Sequence, residues 1–97
     1  MGVRAKFTYV GYEASLQAEF NEKKPDGSVD YNKPTPVELR SLRFNPVYGN
    51  GDPNHENTKF WKASPSGEIR LGTVNPAAWS AFEMGKEYYI DFTPAGA

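Results

Sequence analysis

Side chains able to bind metals are sparse in this sequence, and His55 is the first candidate. It lies in the segment Asp52-Pro53-Asn54-His55-Glu56, where an imidazole and two carboxylates could bind a divalent cation. The chain has one His and no Cys, so the nitrogen or sulfur ligands that complete a zinc site are missing. We therefore expect His55 to be an ordinary solvated loop residue, and the sequence predicts neither a metal site nor a cofactor.

Hydroxyl and carboxyl groups do not form a recognisable catalytic arrangement either. Ser64 and Ser66 occur in a Ser-Pro-Ser-Gly turn, and a nucleophilic Ser would need a neighbouring His as its base. Glu87 and Asp91 lie on the predicted solvent face of a strand, which offers no cleft for general acid–base catalysis. The glycines do not form the GxxxxGK sequence of phosphate-binding loops. We predict that the protein is not an enzyme and has no catalytic residues.

Aromatic and basic residues occur together in two segments, and this pattern could form a binding site. Residues 59–62 (KFWK), with Arg40, Arg43 and Phe44, could stack bases and contact phosphates. However, eleven basic and twelve acidic residues give a net charge of −1, without the positive field of most nucleic-acid-binding proteins. Phe44 also has the inward parity of its strand. We therefore regard nucleic-acid binding as the weaker alternative and expect Phe60 and Trp61 to lie in the core or to contact a protein partner.

The elements that would position these residues are mainly β-strands. Residues 3–9 alternate apolar and polar side chains, and the alternation resumes with the opposite parity over residues 12–20. Since a one-residue shift would turn the wrong face inward, the sequence predicts a β-bulge near residues 10–11. A second parity change around Ser41 predicts another bulge in the strand formed by residues 37–44.

The C-terminal half supplies two more strands and a helix. Strands are predicted at residues 68–74 and 86–93, and the polar, glycine-containing segment 45–57 is interpreted as an irregular loop. Residues 75–82 form a short helix, because Asn75 can cap it and the following Pro is tolerated at its first position. The sequence therefore predicts a mostly β protein, a small curved antiparallel barrel or sandwich with one short helix before the last strand.

One side of the predicted helix is aromatic. Trp79 and Phe82 lie on that side. We expect them to pack against the inward face of the last strand, which Tyr88, Ile90 and Phe92 form by alternation. These rings would then fill much of the core.

Residues 21–36 interrupt the strand pattern with charged residues, amides and prolines, and offer little to bury. The chain has the size of one domain, so we assign residues 1–97 to a single domain from which this segment projects as an exposed polar loop or arm. Pro34 and Pro36 restrict it to extended or turn conformations. Tyr31 is its best candidate for an anchor that binds a partner.

The sequence does not predict a membrane protein. No apolar run approaches the roughly 18 residues needed to cross a bilayer. The N-terminus also lacks the charged and then apolar regions of a signal peptide. We therefore expect no membrane contact and no use of the ordinary secretory route.

Three segments resemble small proteins encoded by tailed bacteriophages. They are residues 60–69 (FWKASPSGEI), 75–78 (NPAA) and 85–95 (GKEYYIDFTPA). In such proteins an aromatic-rich segment and a turn precede a strand, a short helix and a terminal Gly-Lys-x-Tyr-Tyr-x-Asp-Phe run. The likeness is clear over residues 60–95 and weaker in the first strand, and it carries no catalytic motif. It implies a phage origin.

A small β-rich phage protein without a predicted active site is most simply a virion component present in many copies. We expect a capsid decoration, or cement, protein, made in the host cytoplasm, that lies on the outer capsid surface and binds the major capsid protein. Tyr31, Phe60 and Trp61 are its candidate partner-binding residues, and a homo-oligomer is left open. The alternatives are a small-barrel protein that binds single-stranded nucleic acid and a phage inhibitor of host defence.

Overall fold

The computed structural model describes residues 3–96, which form a four-stranded antiparallel sheet with two short helices. The strands are β1 (Val3–Glu19), β2 (Thr35–Pro46), β3 (Ile69–Thr73) and β4 (Glu87–Phe92), and the helices are α1 (Glu56–Trp61) and α2 (Pro76–Trp79). This arrangement confirms the mostly β, antiparallel architecture with a short helix before the last strand. Neither helix of the described chain has the length and apolar composition needed to cross a membrane.

The sheet is open, and it is unusually long in one direction. Its strand order is β3-β2-β1-β4, so β3 and β4 are edge strands and the curved sheet does not close into a barrel. The molecule measures 63 × 35 × 20 Å, and its radius of gyration is 18.9 Å, whereas a compact chain of this length would have about 13 Å. The elongation comes from β1 and β2, whose distal halves extend past both edge strands.

The hydrophobic core lies where the four strands overlap. It contains two β2 residues, Leu42 and Phe44, which are almost fully buried. The inward position predicted for Phe44 is therefore confirmed. Buried residues of β1 and partly buried residues of the other elements complete the core: Ala5, Phe7 and Tyr9, with Trp61, Ile69, Trp79, Phe82, Tyr88 and Ile90 packed around them.

One of the two predicted bulges is present. The pairing of β1 with β2 shifts by one residue between Tyr9 and Gly11, and Gly11 has a φ of 149°, which side chains rarely tolerate. The bulge predicted around Ser41 is wrong, because the pairing continues without a shift from Thr35 to Arg43. The parity change there is tolerated because, within residues 3–96, residues 35–39 of β2 pair only with β1, so neither face of this part of β2 has to be the apolar one.

Helix α2 begins as the sequence predicts. The Asn75 side chain accepts a hydrogen bond from the Ala77 N–H at 3.0 Å, and Pro76 is the first helical residue. The helix ends at Trp79, earlier than predicted, and Phe82 lies directly after the turn that follows it.

The aromatic contacts of this region largely match the prediction. The Phe82 ring lies 5.2 Å from Tyr88 and 5.3 Å from Phe44, and Trp79 packs at the edge of the core. Phe92 departs from the prediction, since 52% of it is exposed. It pairs with Val3 at the end of the sheet.

Helix α1 contradicts the interpretation of residues 45–57 as a purely irregular loop. Its Asn57 is fully buried, with 0% exposure, and accepts a hydrogen bond from the Lys6 N–H at 2.7 Å. The same side chain donates to the carbonyl oxygens of Lys6 and Val47 at 2.7 and 2.6 Å. Asn57 thus bonds the backbone N–H and C=O of Lys6 at the edge of β1, at the point where β2 ends.

Candidate partner-binding surfaces

Beyond the edge strands, β1 and β2 continue as a two-stranded ribbon that we call the arm (residues 15–39). Pairing of β2 with β3 ends at Arg40, and pairing of β1 with β4 ends at Thr8. Residues 15–19 and 35–39 therefore pair only with each other within the described chain. Since an isolated two-stranded ribbon is marginally stable in water, the arm has the character of a segment that gains stability from a partner.

The tip of the arm is a defined turn. Asp26 accepts hydrogen bonds from the Ser28 N–H at 2.9 Å and from its hydroxyl at 2.6 Å. These bonds, that of the hydroxyl foremost, hold the pKa of Asp26 below its usual value. Gly27 adopts a φ of 90°, and Lys23 forms a bridge with Val29. The tip therefore has a specific shape that it can present to a partner.

One face of the arm carries an apolar strip, which we call the arm stripe (Leu16, Phe20 and Tyr31). Leu16 is 79% exposed and Tyr31 is 71% exposed, and the rings of Phe20 and Tyr31 lie 5.3 Å apart. Beside them, Pro34 and Pro36 help to line an open depression of about 400 Å³. Clustered exposed apolar side chains of this kind mark interaction sites.

A second exposed apolar surface lies at the opposite end of β1, and we call it the end patch (Val3, Phe60 and Phe92). Val3 pairs with Phe92 across β1 and β4, and all three side chains are about half exposed. Two open depressions, one lined by Phe60 and the other by Phe92, both include Val3. The end patch is therefore continuous from α1 to the end of β4.

Charged residues border the end patch. The Arg4 guanidinium donates to the Asp91 carboxylate at 2.7 Å and lies 4.5 Å from the centre of the Tyr89 ring. The hydrogen bond from Arg4 lowers the pKa of Asp91, and the same bond raises the pKa of Arg4. The end patch thus combines an apolar centre with a polar border, as protein interfaces commonly do.

The three predicted partner-binding residues do not form one site. Trp61 is partly buried, with its ring 6.1 Å from that of Phe7, so it belongs to the core. Phe60 packs against Trp61 at 4.6 Å and remains 46% exposed. Tyr31 lies on the arm, separated from α1 by roughly 40 Å of extended strand at about 3.3 Å per residue.

The remaining members of the two surfaces were not predicted. They are Leu16, Phe20, Val3 and Phe92. By alternation they have the parity of inward strand residues, which predicts burial and not exposure. The length of β1 is the one sequence feature that could have indicated their exposure. Its two alternating segments are together longer than a core of this size can cover.

His55 has a structural role and is not simply a solvated loop residue. Its Nδ1 accepts a hydrogen bond from the Asn57 N–H at 3.0 Å, and it thereby caps the start of α1. Within residues 3–96, no three His, Cys, Asp or Glu side chains lie close enough to hold a metal ion.

Comparison with known proteins adds no relative: the chain matches no family model, no curated protein and no solved structure. A functional assignment therefore depends on the two surfaces described above.

Proposed function

We propose that the protein is a non-enzymatic capsid decoration protein of a tailed phage, which bridges neighbouring subunits of the major capsid protein on the outer shell. The observation that carries this proposal is the presence of exposed apolar surfaces at both ends of a 63 Å molecule. A protein that braces two neighbours needs two separate contacts. The arm stripe and the end patch supply them.

Burial against a shell would also stabilise the protein. Covering a large apolar side chain contributes roughly 1.5–3 kcal/mol. Leu16 and Tyr31 are largely exposed, and Phe20 is covered in part by the Tyr31 ring, so a partner surface would supply the burial that the arm lacks. A small domain buries a low fraction of its surface on its own, which makes this gain large relative to its total stability.

The charges of the arm favour a protein partner over a nucleic acid. Residues 15–39 contain three basic and five acidic residues, whereas Lys and Arg are the residues that neutralise phosphates. Two of the rings considered for base stacking also pack inside the protein, since Phe44 is buried and Trp61 packs against Phe7. These observations support the structural proposal over the single-strand-binding alternative.

We accordingly expect no measurable binding of the protein to single-stranded oligonucleotides at about 50 mM salt, where phosphate contacts are strongest. Fluorescence anisotropy with labelled oligonucleotides tests this. Tight binding that weakens steeply with salt and is lost in Phe60→Ala, the variant that removes the most exposed ring of α1, would instead favour the nucleic-acid alternative.

The proposal also predicts how many copies a virion contains. In purified particles of the phage that encodes this chain, quantitative mass spectrometry should find the protein at a copy number comparable with that of the major capsid protein. Unassembled protein in the same lysate serves as the control for contamination. Absence from particles would rule out a decoration role.

A further inference from the structure

The two edges of the arm differ, and the difference begins at the bulge. The Tyr9 N–H donates to the Lys86 carbonyl at 3.0 Å, and the Tyr9 carbonyl accepts from the Gly85 N–H at 2.7 Å. The backbone of Tyr9 therefore faces the β4 side. Successive residues of an antiparallel strand face alternate sides, and the extra residue before Gly11 reverses this alternation. Beyond the bulge, the even-numbered residues of β1 face away from β2.

The outer edge of β1 is consequently open along the arm. Ala14, Leu16 and Ala18 direct their N–H and C=O groups outward, and β4 pairs with β1 only as far as Thr8. Residues 12–19 contain neither Pro nor Lys, the residues that commonly protect an exposed strand edge. An open edge without Pro or Lys is a template for strand addition, and its acidic residues restrict which strands can pair with it.

The outer edge of β2 is blocked. The Val47 N–H donates to the Lys6 carbonyl at 3.0 Å, so odd-numbered residues of β2 face β1 and even-numbered residues face the other edge. Pro36 occupies one of these outward positions, where it removes a donor without breaking the pairing with β1. The arm can therefore accept an added strand along β1 and not along β2.

The charges near the open edge indicate which strand would fit. Residues 10–22 include Glu13, Glu19 and Glu22 and no basic residue. Glu13 shares a depression with Arg43 and Arg70 of the neighbouring strands, so Glu19 and Glu22 carry most of the negative charge at the open edge of the arm. Pairing with β1 of a second copy would bring acidic residues together, which destabilises neighbouring strands. A strand that carries Lys or Arg on the same face would instead form favourable pairs.

We propose that the β1 edge from Ala14 to Ala18 is a β-augmentation site for an extended, basic segment of a partner protein. Backbone hydrogen bonds to the outward groups would supply affinity, as in other strand-addition complexes. Apolar side chains of the added strand would lie beside Leu16, and its basic side chains beside Glu13 and Glu19. This inference rests on the proposed function, and it specifies how the arm binds the shell.

A peptide of about ten residues in which Lys and Val alternate is a suitable probe of this edge. We expect the labelled peptide to bind in an anisotropy titration. Binding should slow hydrogen exchange of the Ala14, Leu16 and Ala18 amides by about tenfold or more. A control peptide of the same composition, arranged in Lys-Lys-Val-Val blocks, should bind at least about tenfold more weakly because it cannot place its cations on one face of a strand.

Substitutions at Ala14 distinguish the contribution of its backbone N–H to peptide binding from that of its side chain. Ala14→Pro removes an outward N–H without removing a donor to β2 and should weaken peptide binding by about tenfold or more. Ala14→Ser keeps the N–H and should bind like the unaltered protein. If Ala14→Pro does not fold, the exchange measurement on the unaltered protein decides the question.

Two results would overturn the inference: no binding of the alternating peptide at about 1 mM, an affinity too weak to support docking, or binding that leaves exchange at the three amides unchanged. Sedimentation of the protein with capsid shells is measured in parallel. If the protein binds shells but not the peptide, only the strand-addition site is rejected. If it binds neither shells nor the peptide, the proposed function is rejected as well.

Discussion

Replacement of Asn57 by Leu should lower the free energy of unfolding by about 2–6 kcal/mol, because buried backbone groups lose the side chain that satisfies them. The Leu side chain has a similar volume, so the substitution leaves no large cavity. It does leave the Lys6 N–H and the Val47 carbonyl without the Asn57 partner, whereas the Lys6 carbonyl loses one of its two bonds and keeps that from the Val47 N–H. Each unsatisfied buried group costs roughly 1–3 kcal/mol. Urea denaturation followed by circular dichroism measures the change.

Asn54 provides the matched control, because it lies three positions earlier in an exposed loop. Asn54→Leu should change the stability by no more than about 0.5 kcal/mol, as most surface substitutions do. An equally small effect of Asn57→Leu would mean that α1 is not fastened to β1 as described. Comparable losses in both variants would point to a general effect of adding Leu to this segment.

The strands could be predicted because their physical signal is local. Alternation of apolar and polar residues fixes the faces of β1 and β4, and the parity change at Gly11 required an extra residue to keep one face inward. The cap of α2 was equally local, since Asn75 and Pro76 act within one turn.

Helix α1 could not be predicted in the same way. Its six residues are too few to show helical periodicity. The role of Asn57 depends on where β2 ends in space, which the sequence does not display. Burial of a polar residue depends on partners that are distant in the chain.

The two apolar surfaces show a related limit. Alternation tells which residues share a face, but it does not tell whether another layer covers that face. Leu16 and Phe44 both have the parity of apolar strand faces, yet Phe44 lies under the aromatic cluster and Leu16 lies on the uncovered arm. Tyr31 could be identified as exposed because its whole segment is polar.

Removal of the arm should weaken binding to capsid shells without preventing folding. Residues 16–38 can be replaced by Asn-Gly, because Ser15 and Leu39 are opposed in the ribbon and a two-residue turn of this type suits such a pair. The melting temperature should stay within a few degrees of that of the parent, since the arm contributes nothing to the buried core. Association with capsid shells should weaken by at least about tenfold, which corresponds to roughly 1.4 kcal/mol.

Two point variants serve as a matched pair for this deletion. Leu16→Ser removes an exposed apolar side chain from the arm stripe, and Leu71→Ser removes a half-exposed one from β3 in the body of the domain. The first should reduce shell binding and the second should not. A loss with Leu71→Ser alone would place the contact on the body of the domain.

The most direct measurement is the occupancy of purified shells, from which the native protein has been stripped, after incubation with the unaltered protein or with the arm-shortened variant. We expect near-saturating occupancy by the unaltered protein and at least about a tenfold loss of affinity for the shortened one, with both proteins folded. Equal occupancy by the two proteins, or no binding of either, would contradict it.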